Sequence, residues 1–107
     1  MKTYEVSLTP DAIRDLTDIY QFIARESGFP EVAWRYIETL RERCHSLQSA
    51  PFRGQARDDI RPNLRILSLA KNAVAAFEVD EPRQTVTILS IFYGGEDYET
   101  LMESSRS

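Results

Sequence analysis

The residues best suited to chemistry in this sequence are four arginines near its middle and two aromatic residues. Guanidinium groups bind phosphate oxygens and aromatic rings stack on unpaired bases, so such a set is typical of an RNA-binding surface. The alternative is a solvated loop whose arginines pair with carboxylates of the same chain, as in most charge clusters of small domains. The residues are Arg53, Arg57, Arg61 and Arg65, with Phe52 and Tyr93.

Arg65 differs from the other arginines because it lies inside an apolar run that predicts a β-strand. An arginine is costly to place there, so it more often has a specific carboxylate partner, within the chain or from another protein. The local charge also favours a protein partner. Residues 51–71 hold five basic and two acidic groups, a balance of +3, in a chain of net charge −4. We expect Arg61 and Arg65 to contact an acidic or amphipathic segment of a partner.

The end of the last predicted strand is a second candidate site. The stretch SIFYGGEDYETL, residues 90–101, changes there from apolar residues to two glycines and polar groups, a common position for a catalytic residue. However, it offers no proton-transfer pair together with a cation that could hold a scissile phosphate. We therefore predict a contact surface without catalytic residues, formed by Tyr93, Glu96, Asp97 and Tyr98.

Metal and thiol chemistry have little support in the sequence. Cys44 and His45 are the only cysteine and histidine, and adjacent helical positions point about 100° apart. We expect no metal site and no cofactor, and a buried structural thiol at Cys44. Trp34 falls beside the apolar stripe of its predicted helix, which makes it a candidate for a partner-binding surface.

Length and charge restrict the class of protein. The 107 residues are expected to form a single domain, residues 1–107. A net charge of −4 argues against affinity from neutralising many phosphates, so no direct sequence-specific nucleic-acid binding is expected. No apolar run approaches a membrane span, and no signal segment precedes the first strand, so the expected location is the cytoplasm without membrane contact.

Periodicity predicts a strand, two helices and three strands. Alternation around Tyr4–Leu8 indicates the first strand, and Thr9-Pro10-Asp11 is a good helix start. Gly28 and Pro30 separate that helix from a second one, which stops before Pro51. Residues 51–63 are predicted as an extended loop. Three strands in an antiparallel meander follow, at 64–69, 73–79 and 85–92, so the prediction is an α+β domain with a helical hairpin covering one face of an antiparallel sheet.

The chain resembles the RelE/ParE superfamily of bacterial toxin–antitoxin toxins, and within it the ParE-like branch of plasmid stabilisation proteins. The resemblance covers nearly the whole chain and depends on the order and spacing of several short pieces. It implies the same β-α-α-β-β-β layout. The pieces are residues 8–12, 15–20, 23–24, 50–55, 64–65 and 91–99.

The resemblance implies a toxin that poisons DNA gyrase by binding it, and that a cognate antitoxin, expected to be a ribbon-helix-helix protein, neutralises. Two alternatives stay open: a RelE-like ribosome-dependent mRNA endoribonuclease using Arg61, Arg65 and Tyr93, and a degenerate member that only binds an antitoxin. Glu96 stands where many ParE-like proteins have an arginine, and a carboxylate there repels a phosphate. A homodimer and a hetero-oligomer with the antitoxin are both compatible with this sequence.

Overall fold

The computed structural model describes residues 3–94, and its elements follow the predicted order. One short strand, β2, is added inside the segment that the sequence predicts as a loop. A 3₁₀ turn, Ser46–Gln48, follows the second helix. The elements are β1 (Glu5–Leu8), α1 (Pro10–Ser27), α2 (Pro30–His45), β2 (Gln55–Ala56), β3 (Leu64–Ala70), β4 (Ala73–Asp80) and β5 (Thr85–Tyr93). The α+β class and the element order are confirmed.

The first helix begins and ends at the predicted signals. The Thr9 hydroxyl oxygen accepts the Ala12 N–H at 3.1 Å, and Pro10 occupies the first turn. Gly28 ends the helix in the left-handed conformation, with φ 77°. The apolar residues spaced three and four positions apart along α1 are buried to different degrees: Ala12, Leu16 and Ile19 are buried, Tyr20 and Ile23 are partly buried, and Ile13 is 55% exposed although its spacing places it with the core residues.

The second helix buries an apolar stripe formed by Ala33, Ile37, Leu40 and Cys44, and Trp34 lies beside it as expected. Cys44 is fully buried, which confirms the structural thiol, and burial raises its pKa to about 11. In addition, α1 and α2 pack against each other and against the sheet, as expected for a helical hairpin.

The sheet has five strands in the order β1-β5-β4-β3-β2. Strands β3, β4 and β5 form the predicted antiparallel meander, and β2 pairs antiparallel with β3. However, β1 lies parallel to β5, with Glu5 opposite Thr85, so the sheet is mixed and not wholly antiparallel. Alternation within a strand does not specify its neighbour, and a two-residue strand such as β2 is too short to show a period.

The main core lies between the hairpin and the sheet, where Phe77, Leu40 and Ile88 are fully buried. A smaller cluster around Leu64, Ile66 and Phe92 covers part of the opposite sheet face. Neither helix among residues 3–94 is both long and apolar enough to cross a membrane.

Candidate protein-binding site

Arg65 is held by the loop that precedes its strand. Its guanidinium donates to the main-chain carbonyl oxygens of Phe52 at 2.7 Å, Arg53 at 3.1 Å and Gly54 at 3.3 Å. It also lies 5.8 Å from the centre of the Phe52 ring. Within the described part of the chain Arg65 has no carboxylate partner, so the expectation of such a partner in the same chain is not met there. The reason is that three main-chain carbonyl oxygens lie within reach of the N–H groups of its planar guanidinium.

Gly54 makes this convergence possible. Its φ is 80°, a conformation that favours glycine, and an added Cβ would overlap the carbonyl oxygen of Ile66 on β3. The backbone of residues 52–54 can therefore pass directly over β3. Together, Arg65 and Gly54 fasten this segment, the 52–54 strap, to the sheet.

The other arginines of the basic middle also have partners in the chain. Arg57 pairs with Asp59 at 2.9 Å, and its hydrogen bond holds the pKa of the Asp59 carboxyl below its ordinary value. Arg61 lies 3.8 Å from Glu78, and Arg53 donates to the Ser46 hydroxyl at 2.9 Å. Arg57 therefore pairs with a carboxylate of its own chain, as the second interpretation of the arginines expects, but its side chain is only 14% exposed.

Tyr93, at the end of β5, is half-buried on the helix side of the sheet. Its ring makes edge contacts with Phe22 at 5.8 Å and Tyr36 at 5.7 Å between centroids. The Tyr36 hydroxyl is buried without a hydrogen-bond partner in the described residues. Burial raises the pKa of the Tyr36 phenol, and the neighbouring Tyr93 raises it further. This end of the hairpin is thus an aromatic cluster.

Among the described residues, Arg65 and Tyr93 do not lie close together. Arg65 pairs with Phe77 of β4, whereas Tyr93 pairs with Ala73, four positions along the same strand. With β3 and β5 on opposite sides of β4, strand spacing puts the Cα atoms of Arg65 and Tyr93 about 16 Å apart. Glu96, Asp97 and Tyr98 lie outside the described residues.

A groove of about 610 Å³ lies between β1 and the helical hairpin. Val6 and Leu8 of β1 form one wall, and Ile13 of α1 and Trp34 of α2 form the other. Both of the latter are more than half exposed. The sequence indicated only Trp34, through its place beside the apolar stripe. Ile13 was missed because its spacing fits the core stripe equally well.

Comparison with known protein families and solved structures identifies proteins that are similar to this chain. The model of the ParE toxin of type II toxin–antitoxin systems, parDE, matches residues 6–98, most of the chain. No curated protein matches. Among solved structures, a chain of the chromosomal ParDE toxin–antitoxin system from P. aeruginosa is 27% identical with a TM-score of 0.72, covering 85% of this chain and 96% of its own.

Two more distant structures share the fold alone. A chain of the RelBE2 toxin–antitoxin complex from Mycobacterium tuberculosis is 19% identical, with a TM-score of 0.60 over 90% of this chain and 97% of its own. A free mutant of the E. coli toxin RelE is 11% identical, with a TM-score of 0.66 over 97% of each chain. From the family match over residues 6–98, together with this architecture, the chain belongs to the ParE toxin family.

Proposed function

We propose that this ParE-family chain acts as a toxin by binding DNA gyrase, without hydrolysing a substrate, and that a cognate antitoxin neutralises it. The proposal rests on the hydrogen bonds of Arg65 and on its distance from Tyr93, the two groups that a ribonuclease would need close together. The guanidinium of Arg65 is taken up by three carbonyl oxygens, and Tyr93 lies about 16 Å away by strand spacing. Binding and cleaving a phosphodiester requires a cation and a proton-transfer group near the same atom.

Charge supports the same conclusion. Arg61 faces Glu78, and the residues after Tyr93 include Glu96 and Asp97. A carboxylate near a phosphate raises the energy of the bound substrate. A protein target imposes no such cost, since a protein can supply arginine or lysine to those carboxylates.

The contact residues that we propose form two sets. Tyr93 with Glu96, Asp97 and Tyr98 makes one candidate contact surface for antitoxin or target, and Arg61 with Arg65 makes the other. The similar ParDE and RelBE2 structures each belong to a toxin–antitoxin pair, which supports an antitoxin partner for this chain. We propose a ribbon-helix-helix antitoxin, a cytoplasmic site of action, and a homodimer or a hetero-oligomer with the antitoxin.

Two assays on the free protein test the proposed activity. We expect the purified chain to impair DNA supercoiling by gyrase, and cells that express it to show no ribosome-associated mRNA cleavage. Tyr93→Phe should keep toxicity almost unchanged, whereas deletion from Glu96 onward should abolish it. Site-specific mRNA cleavage that disappears in Tyr93→Phe would establish the ribonuclease alternative. A folded chain with neither effect, which still binds its antitoxin, would be a degenerate member.

A further inference from the structure

The tip of the helical hairpin, residues 22–36, carries apolar side chains that the fold leaves uncovered. Phe22 of α1 is 48% exposed, Phe29 in the connection is 60% exposed, and Val32 of α2 is 48% exposed. Trp34 also lies in this range, but it lines the groove beside β1. Single exposed apolar residues are ordinary on a protein surface, whereas a contiguous group of them marks an interaction site.

Phe22 and Val32 both border the aromatic cluster at the end of the hairpin. The ring of Tyr93 makes edge contacts with Phe22 and with Tyr36, and Val32 lies one helical turn before Tyr36. The two exposed side chains therefore belong to one apolar surface that both helices share.

Phe29 extends this surface across the connection between the helices. The Ser27 hydroxyl accepts the N–H of Phe29 at 3.1 Å and donates to its carbonyl oxygen at 3.2 Å. The same carbonyl oxygen accepts the Val32 N–H at 3.0 Å. These bonds hold the backbone at Phe29, so binding through its ring orders little additional chain.

The charges of the hairpin tip balance. Arg25 and Glu26 lie in the last turn of α1, and Glu31 and Arg35 lie in the first two turns of α2, so the tip is neutral in a chain of net charge −4. All four residues are exposed, and none forms an ion pair within residues 3–94. Two copies of an acidic chain repel each other least where their surfaces are neutral.

This balance fits a second copy better than a strongly charged partner. A two-fold symmetric interface brings the same surface of both copies together, so that surface must be complementary to itself. An apolar patch bordered by equal numbers of unpaired arginines and glutamates meets this condition, because arginines of one copy can face glutamates of the other. A partner of one charge sign would face like charges at half of these positions.

We propose that the hairpin tip binds a second copy of this chain, with Phe22, Phe29 and Val32 at the centre of a two-fold symmetric interface and the four charges at its rim. A half-exposed phenylalanine leaves roughly 100 Å² to bury, so each copy contributes roughly 200–300 Å² of apolar surface. With the rim, the interface lies in the range of weak complexes, below about 1,200 Å². The dimer is therefore reversible, with a dissociation constant of about 10 µM or weaker.

Sedimentation equilibrium of the full chain, at concentrations around and above the expected dissociation constant, tests the interface. Val32→Glu puts like charges on both sides of the two-fold axis, and we expect the dissociation constant to rise about tenfold or more. A glutamate in the first turn of a helix suits the helix dipole, so this variant keeps its fold. Ile13→Glu is the matched control, because it makes the same kind of change in the first turn of α1 at a similarly exposed residue outside the tip.

The control should dimerise like the natural chain. A natural chain that stays monomeric would overturn the proposal, as would a dimer that Ile13→Glu abolishes and Val32→Glu leaves intact.

Two double variants test the charged rim. Arg25→Glu with Arg35→Glu makes the tip acidic, and Glu26→Arg with Glu31→Arg makes it basic. Each variant alone should associate with itself about tenfold more weakly than the natural chain, whereas an equimolar mixture should form heterodimers. Native mass spectrometry measures their fraction. A mixture without heterodimers in excess of the statistical fraction contradicts the pairing of arginines with glutamates across the interface.

The supercoiling assay distinguishes the other occupant. If the natural chain is monomeric and folded Val32→Glu no longer inhibits gyrase, the hairpin tip contacts the target and the proposal of a second copy is wrong. Self-association requires neither gyrase nor an antitoxin, so its failure is distinct from a failure of the proposed function.

Discussion

The guanidinium groups of Arg65 and Arg41 have opposite surroundings. Arg65 donates to three carbonyl oxygens of the 52–54 strap, whereas Arg41 has no ion-pair partner among residues 3–94. An arginine bound to main-chain oxygens stabilises the fold, and an unpaired arginine beside an apolar groove is available to a ligand. The position of Arg65 in a strand could be predicted from the sequence, but its partners could not, because they depend on a loop 11 to 13 residues earlier.

Replacing Arg65 tests its structural role. Arg65→Lys keeps the charge but loses the planar fork that reaches several carbonyls together. We expect its free energy of unfolding to fall by about 1–2 kcal/mol in a urea titration. Arg43→Lys, on the exposed face of α2, serves as the control and should stay within about 0.5 kcal/mol of the natural chain. Equal stability of both variants would mean that the strap does not depend on the guanidinium.

Gly54 and Gly28 provide a matched pair of substitutions. Both have positive φ, 80° and 77°, so alanine is strained at either position. Only at Gly54 does the added Cβ meet backbone, the Ile66 carbonyl, while nothing lies near it at Gly28. We expect Gly54→Ala to lower the thermal midpoint of unfolding more than Gly28→Ala does. The free energies of unfolding of the two variants should differ by roughly 2 kcal/mol or more. A larger loss at Gly28 would contradict the close approach of the strap to β3.

The Cys44 thiol makes stability depend on pH. Its pKa rises from 9.0 to about 11 because burial disfavours the thiolate. The folded state therefore keeps the proton that the unfolded state loses, so this contribution is complete below pH 9 and is lost as pH rises towards 11. The free energy of unfolding should decrease over that range more steeply in the natural chain than in Cys44→Ala. Parallel pH profiles of the two proteins would exclude this effect.

At the scale of elements, side chains at the start of α1 form hydrogen bonds with the main chain of β5 just beyond the end of β1. The Thr9 hydroxyl donates to the Leu89 carbonyl at 2.8 Å, and an Asp15 carboxylate oxygen accepts the Ile91 N–H at 2.9 Å. Since β1 pairs with β5 only as far as Ile88, these side chains occupy main-chain groups of β5 that have no strand neighbour there.

Asp15→Ala should therefore leave the part-buried Ile91 N–H without its acceptor. We expect a loss of about 1–3 kcal/mol in the free energy of unfolding, measured by chemical denaturation. Asp18→Ala removes a carboxylate from an exposed position of the same helix and is the control. Faster hydrogen exchange at Ile91 should accompany the loss, and unchanged exchange would show that the carboxylate does not protect this amide.

The sequence predicted the elements well because their signals are local. The Thr9 cap, the Gly28 terminus and the alternation in β3 to β5 are each read within a few residues. The parallel pairing of β1 and β5, the strand β2 and the exposure of Ile13 were missed, because each depends on elements distant in the chain.

At the scale of the molecule, the same limit applies to the site. Arg61, Arg65 and Tyr93 were each placed on or beside a strand correctly, yet periodicity carries no information on the distance between strands. The order of the strands separates Arg65 from Tyr93. It also places β1 beside a groove, of which the sequence indicated only Trp34. A candidate binding surface in a domain of this kind is a property of the assembled sheet.

The pairing of β1 with β5 also determines at what stage of synthesis the sheet can be completed. Glu5 lies opposite Thr85, so contacting residues are separated by 80 positions, and closing that loop is a slow, entropically costly event. During synthesis on the ribosome, β1 emerges early and has no strand neighbour until β5 follows it. The hairpin can form first, since its contacts are local, but the edge strand cannot take its place. A nascent chain therefore lacks the groove along β1 until translation has passed the last strand.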